Sequence, residues 1–148
     1  MLIKIQDAPR HSSVIRKGIP QHKSGHGDLL LSIRQLAEEK NIAAGVVLSA
    51  VGCISRGRVR DASGVTLREI SDHCEIVSLD GTVSARRCHL HISLSREDLS
   101  TIGGHLVPGC IINTTCELVI AELPGVRFGV EEDPETGYDE LIFQEDTV

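Results

Sequence analysis

The helical period is clearest over one short stretch of this chain. Leu29, Leu30, Ile33, Leu36 and Ala37 recur at helical spacing, while Ser32, Arg34, Gln35, Glu38 and Glu39 fall mostly on the other side. Asp28 stands where an N-cap is needed, its carboxylate able to accept from the unpaired N–H groups of a first turn. The spacing predicts one amphipathic helix, ending near Asn41. Beyond it the texture changes to short apolar or alternating segments separated by turn formers, over 43–50, 54–60, 65–70, 74–79, 82–86, 89–94 and 111–123, which read as strands. A further strand candidate spans 2–5, and the turn-rich stretch 18–27, with His22 and His26, reads as a loop. Asp61-Ala62-Ser63-Gly64 and Asp80-Gly81 read as hairpin turns. Ser95-Arg96-Glu97-Asp98 carries a capping pattern for a second, short helical turn. The acidic run 131–140 reads as a solvated turn before a last strand over 141–143. These elements predict one α+β domain over residues 1–148: an antiparallel-rich mixed sheet with one main amphipathic helix packed on it.

Composition narrows the classes. At 148 residues, 41% hydrophobic and 24% charged, the chain has the make-up of a soluble globular domain. It holds no apolar run of the roughly 18–20 residues that a membrane span needs, and its first residues lack the apolar core of a secretory signal. The expectation is a cytoplasmic protein without a membrane partner. Cys53, Cys74, Cys88, Cys110 and Cys116 form no CxxC pair, and an odd number cannot all pair within one chain, so reduced, mostly buried thiols are expected. Phe128, Phe143 and Tyr138 are the whole aromatic set. The core must therefore be aliphatic, and base-stacking platforms for single-stranded nucleic acid have little material. A formal net charge of −6 opposes a phosphate backbone unless basic residues gather on one face. Arg56, Arg58 and Arg60 share such a face by their spacing, although a charged edge strand that discourages pairing is the commoner meaning of such a set.

The strongest clue to chemistry is the segment CHLHISLSREDLSTIGGHLVPG. In a strand His89 and His91 project from one face and Leu90 and Ile92 from the other. If a turn at Gly103-Gly104 brings His105 beside them, three neutral nitrogen donors surround a point, a set suited to zinc or another divalent first-row metal. The competing reading is exposed or hydrogen-bonded strand histidines, with His105 capping a turn. Ligating imidazoles usually pass their second N–H to a carboxylate or carbonyl. Glu75 and Glu117, each in a mostly apolar strand, are the candidates for that role and for a catalytic proton carrier.

From residue 27 to about 143 the chain resembles the plants-and-prokaryotes conserved (PPC) domain family. The resemblance rests on GDLLLSIRQLAEEKNI, GVVLSAVGCIS, CEIVSLDGTVS, HLHISL, GGHL and GCIINTTCELVI, in that order. It implies a helix packed on an antiparallel-rich sheet, assembled as a homotrimer. Plant members carry the domain after an AT-hook, and bacterial members often bear a DNA-binding label. This chain has no Gly-Arg-Pro core, so its acidic charge and lack of an AT-hook disfavour DNA. The histidine pattern is also similar to that of acetolactate decarboxylase and of certain zinc-dependent ester hydrolases, the same superfamily of fold. That likeness places zinc on His89, His91 and His105, while the decarboxylase's catalytic glutamates and arginine have no clear counterpart.

Three functions follow as expectations. The first is a PPC-domain DNA-binding or regulatory module with a three-histidine metal site. The second is a small zinc-dependent enzyme acting on a carbonyl, carboxylate or ester compound, with Glu117 or Glu75 moving the proton. The third is a structural homotrimer without catalysis. A small-molecule ligand is compatible with the first two.

Overall fold

The computed structural model describes residues 10–16, 27–135 and 137–145. The strand expected over 2–5 and the loop histidines His22 and His26 lie outside the described residues. Helix α1 (Leu29–Glu39) starts where the sequence places it: the Asp28 carboxylate accepts from the Leu31 N–H at 3.0 Å. Its second oxygen accepts from the Gly109 N–H at 2.6 Å, tying the helix start to a distant loop. Leu29, Leu30, Ile33 and Ala37 are buried, with Leu36 packed at their edge. The helix ends at Glu39, and Asn41 adopts φ 50° just beyond it.

Against α1 lies an antiparallel sheet of β1 (Arg10–Arg16), β2 (Gly45–Arg60), β3 (Leu67–Ile70), β4 (Cys74–Val83), β5 (Cys88–Ser95), β6 (Thr101–Leu106) and β7 (Ile111–Glu122). The order is β1-β7-β2-β4-β5-β6, with β3 on the far half of β2. The sheet curls until β6 meets β2 again through Val59 opposite Leu106 and Arg60 opposite His105. Every strand pairing among the described residues is antiparallel, and β2-β4-β5-β6 forms a closed circuit. A separate hairpin, β8 (Val126–Glu132) and β9 (Asp139–Glu145), packs at one end.

Four local expectations change. Segments 43–50 and 54–60 are one strand, β2, whose register shifts against β7 bend the chain where a break was read. Asp80-Gly81 does not turn: it lies inside β4, where Gly81 takes φ 141° and a Cβ would sit 2.0 Å from the His89 carbonyl oxygen. The reversal comes at Ser84–Arg87, closed by Ser84 N–H to the Arg87 carbonyl at 2.8 Å. The capping pattern at Ser95 starts no helix; residues 96–100 make the tight β5–β6 turn, with Arg96 N–H donating to the Ser100 carbonyl at 2.9 Å and Leu99 at φ 66°. Gly103-Gly104 is therefore not a turn but the middle of β6.

The main core is aliphatic, as the composition required. Leu90, Ile92 and Leu94 of β5 join Ile54, Val59, Leu118 and Ile120 under α1. All five cysteines are unpaired, with Cys74, Cys110 and Cys116 buried. Burial pushes the thiols of Cys110 and Cys116 up to about 11, so these behave as small apolar groups. Among the described residues, no helix is long and apolar enough to cross a membrane.

Candidate metal centre

Alternation along β5 sends Leu90 and Ile92 into the core and leaves His89 and His91 on the other face. The register then builds a row across four strands. Asp80 of β4 stands opposite His91, His91 opposite His105 of β6, and His105 opposite Arg60 of β2. His89 is one step along, opposite Thr82. The ring centroids of His89 and His91 are 5.4 Å apart, those of His89 and His105 5.0 Å, and those of His91 and His105 5.4 Å. One ligand atom from each ring lies within 4.8 Å of the others, so the three can hold a metal ion. Tetrahedral bonds of about 2.0–2.1 Å put nitrogens about 3.3 Å apart, a closure that small side-chain rotations supply.

Two of the rings, His89 and His105, are poised as neutral donors. His105 is pushed down to about 4, chiefly by burial and then by the charge of Arg60 and of the other two histidines. His89 is pushed down by burial, then by Arg87, with Glu140 acting against them. The Nδ1 of His105 is buried and has no hydrogen-bond partner among the described residues. A buried ring nitrogen left without a partner is costly, and metal ligation would satisfy it. The Arg87 guanidinium lies 3.2 Å from His89 Nδ1 and also donates to the Asp139 carbonyl at 3.0 Å. A guanidinium only donates, so His89 accepts at Nδ1 and carries its proton on Nε2. Ligation by His89 therefore displaces the Arg87 contact.

The histidines form the floor of an open cleft of about 1320 Å³. One wall is formed by Tyr138 and the start of β9, with Asp139 and Glu140. The Arg60 guanidinium carbon lies 5.8 Å from the centre of the Tyr138 ring. The hairpin that carries this wall is anchored by Phe128, whose ring meets Phe143 edge-on at 5.2 Å, and by a small apolar cluster with Ala44, Leu123 and Val126.

The structure brings together the three histidines but neither glutamate. Glu75 is exposed opposite Ser95, four residues along β5 from His91 and roughly 13 Å away at strand rise. Glu117 is exposed on β7, opposite Val51, on the side of β2 away from the histidine row. Neither lines the cleft. The acids that do include Asp80, hidden in the sequence by a Asp-Gly pair that reads as a turn, and Glu140, hidden in the acidic run. Arg60 was grouped with Arg56 and Arg58, yet those two are held by Glu69 at 3.2 and 3.0 Å while Arg60 faces the histidines.

A family model for the Plants and Prokaryotes Conserved (PCC) domain matches residues 24–124. The chain belongs to this family. The matched PCC segment runs from before α1 through β7 and includes all three histidines, and it ends before the β8–β9 hairpin. The bifunctional protein GlmU of Synechococcus sp. (strain JA-2-3B'a(2-13)) is 41% identical over 117 residues, 79% of this chain, which spans 18% of that protein's length. A hypothetical protein from Salmonella cholerae-suis superimposes with a TM-score of 0.85 at 25% identity, covering 99% of this PCC chain and 100% of its own. A metal-containing protein from Archaeoglobus fulgidus gives 0.73 at 25% identity, over 96% of this chain and 99% of its own.

Proposed function

We propose that this PCC-domain chain is a binding module in which His89, His91 and His105 hold one divalent ion, zinc or a similar first-row metal, on the floor of a cleft that receives a small molecule. The observation that carries this reading is the convergence of three ring nitrogens within 4.8 Å on one sheet face, one ring having a buried nitrogen with no partner. The description of the Archaeoglobus relative as metal-containing supports it. When bound, such an ion supplies a Lewis acid. The chain's own residues do the rest: the depressed basicity of His89 and His105 keeps both rings neutral at pH 7, and Asp80 lies beside His91. Arg87 ties the floor to the Asp139 backbone of the cleft wall.

DNA is a poor partner for this surface. The net charge is −6, and two of the three arginines on the β2 face already share an ion pair with Glu69. A second reading, a small metal-dependent enzyme, draws on Asp80 and Glu140, two carboxylates that line the cleft and can hold a proton beside a bound carbonyl compound. Assembly as a homotrimer comes from the family resemblance and is tested by light scattering on the purified chain. The decisive test is metal analysis after zinc loading and desalting. One ion per chain is expected, with loss in His91→Ala; no stoichiometric metal in the unsubstituted protein refutes the reading.

A further inference from the structure

We propose that the small molecule received by this cleft is an oxyanion, a carboxylate or a phosphate group, anchored by the Arg60 guanidinium beside the three-histidine centre. The proposal rests on the metal reading above. Arg60 stands directly opposite His105 in the β2–β6 register, so their Cβ atoms are about 4.5–5.5 Å apart. It is half-buried and lines the cleft. Its neighbours on the same strand face differ from it in one respect. Arg56 and Arg58 share an ion pair with Glu69, whereas no carboxylate pairs with Arg60 among the described residues.

None of the acids that line the cleft, Glu38 of α1 included, forms an ion pair with Arg60 among the described residues. Asp61, next in sequence, gives its carboxylate to Arg68 at 2.9 Å and to the Ser63 hydroxyl at 2.6 Å. Asp80 stands at the far end of the cross-strand row, beyond both His91 and His105. The Asp139 backbone carbonyl accepts from Arg87 at 3.0 Å. Glu140 lies on the opposite wall, close enough for its charge to act on His89. A half-buried guanidinium without a counter-ion is unfavourable, and a dication held a few ångströms away makes the floor more positive still. An incoming oxyanion relieves both. The planar fork of arginine accommodates two oxygens of one carboxylate or phosphate, and the Tyr138 ring stacked against Arg60 limits its freedom.

Cobalt(II) serves as the reporter ion, because its visible spectrum responds to a change in coordination. The unsubstituted protein, Arg60→Gln and Arg60→Lys are loaded with Co²⁺ and titrated separately with acetate, with inorganic phosphate, and with sodium chloride at matched ionic strength. Circular dichroism checks that each variant keeps its fold. The expected result is equal cobalt loading in all three proteins and a saturable spectral change with acetate or phosphate that chloride does not produce. Which arm saturates identifies the carboxylate or the phosphate. Affinity should fall at least about tenfold in Arg60→Gln and partly recover in Arg60→Lys. Equal anion affinity with and without Arg60, or no response beyond chloride, overturns the proposal while leaving the metal reading intact. Failure of the unsubstituted protein to bind cobalt overturns both.

Discussion

Replacing Gly103 by alanine tests how closely β6 lies against β5. A Cβ at this position would sit 2.1 Å from the Ile92 carbonyl oxygen and 3.1 Å from the Ser93 Cα, where ordinary contact begins at 3.4 Å. The obstacle is backbone, so no side chain can turn away. The strands must part by roughly 1.3 Å, which stretches adjacent N–H···O bonds beyond hydrogen-bonding range. Two such bonds at about 1 kcal/mol each, with about 1–3 kcal/mol of overpacking strain, give an expected loss of about 3–5 kcal/mol. Gly125→Ala is the control: its φ of +70° strains any L residue, yet nothing lies within 4 Å. That change should cost about 1 kcal/mol. Urea denaturation of both variants in the presence of a chelator measures the difference. Because Gly103 pairs with Ser93, two residues from the His91–His105 pair, Gly103→Ala should also weaken zinc binding while Gly125→Ala does not. Equal stability losses in the two variants would falsify the close approach of β5 and β6.

Asp28→Ala removes the acceptor for both the Leu31 and Gly109 N–H groups and should cost about 2 kcal/mol in denaturation, with Asp28→Asn costing less. The pH dependence of the chelated protein has a definite sign. His105 titrates near 6.5 when unfolded and near 4 when folded, so the unfolded chain takes up the extra proton. Stability should therefore be level above pH 6.5 and fall from there toward pH 4, by about 1–2 kcal/mol once solvent screening at this half-buried ring is allowed for. His105→Gln should flatten that part of a thermal-melt series, and an unchanged slope would remove His105 as its source. Phe128→Ala deletes the buried anchor of the β8–β9 hairpin and should cost about 3 kcal/mol. Limited proteolysis should then cut between 126 and 145 first, and cleavage elsewhere would count against the anchor. Electrophoretic shift with A·T-rich duplex at low salt should show no binding; a complex that weakens steeply with salt would restore the DNA reading.

The helix and the main sheet strands are legible in the sequence because their signals are local. Asp28 and the spacing from Leu29 to Ala37 specify α1 without reference to anything distant. The alternation of His89, Leu90, His91 and Ile92 gives the faces of β5 correctly. Asp80-Gly81 misled because the same dipeptide serves a turn or a strand-internal close approach, and the choice rests on the β5 backbone that packs there. Glu75 and Glu117 failed as neighbours of the histidines for a related reason. Which outward acid stands beside His91 is a matter of register, and register is fixed by pairing across the sheet. Arg60 shares a strand face with Arg56 and Arg58 as the spacing predicts, but only the closure of β6 onto β2 places it opposite His105.

The cleft's two sides come from parts of the chain with different histories during folding. His89, His91 and His105 fall within 17 residues and are aligned by a single tight turn, so their loop-closure entropy is small. Tyr138 to Leu141 arrive from more than thirty residues downstream, on a hairpin held by its own apolar cluster. Contacts at low sequence separation cost less loop-closure entropy than distant ones. The expected order is therefore the histidine floor first, as β5 and β6 zip together, and the wall after it. An ion captured at that stage would help nucleate the sheet, and the late-docking hairpin would govern which molecules reach it.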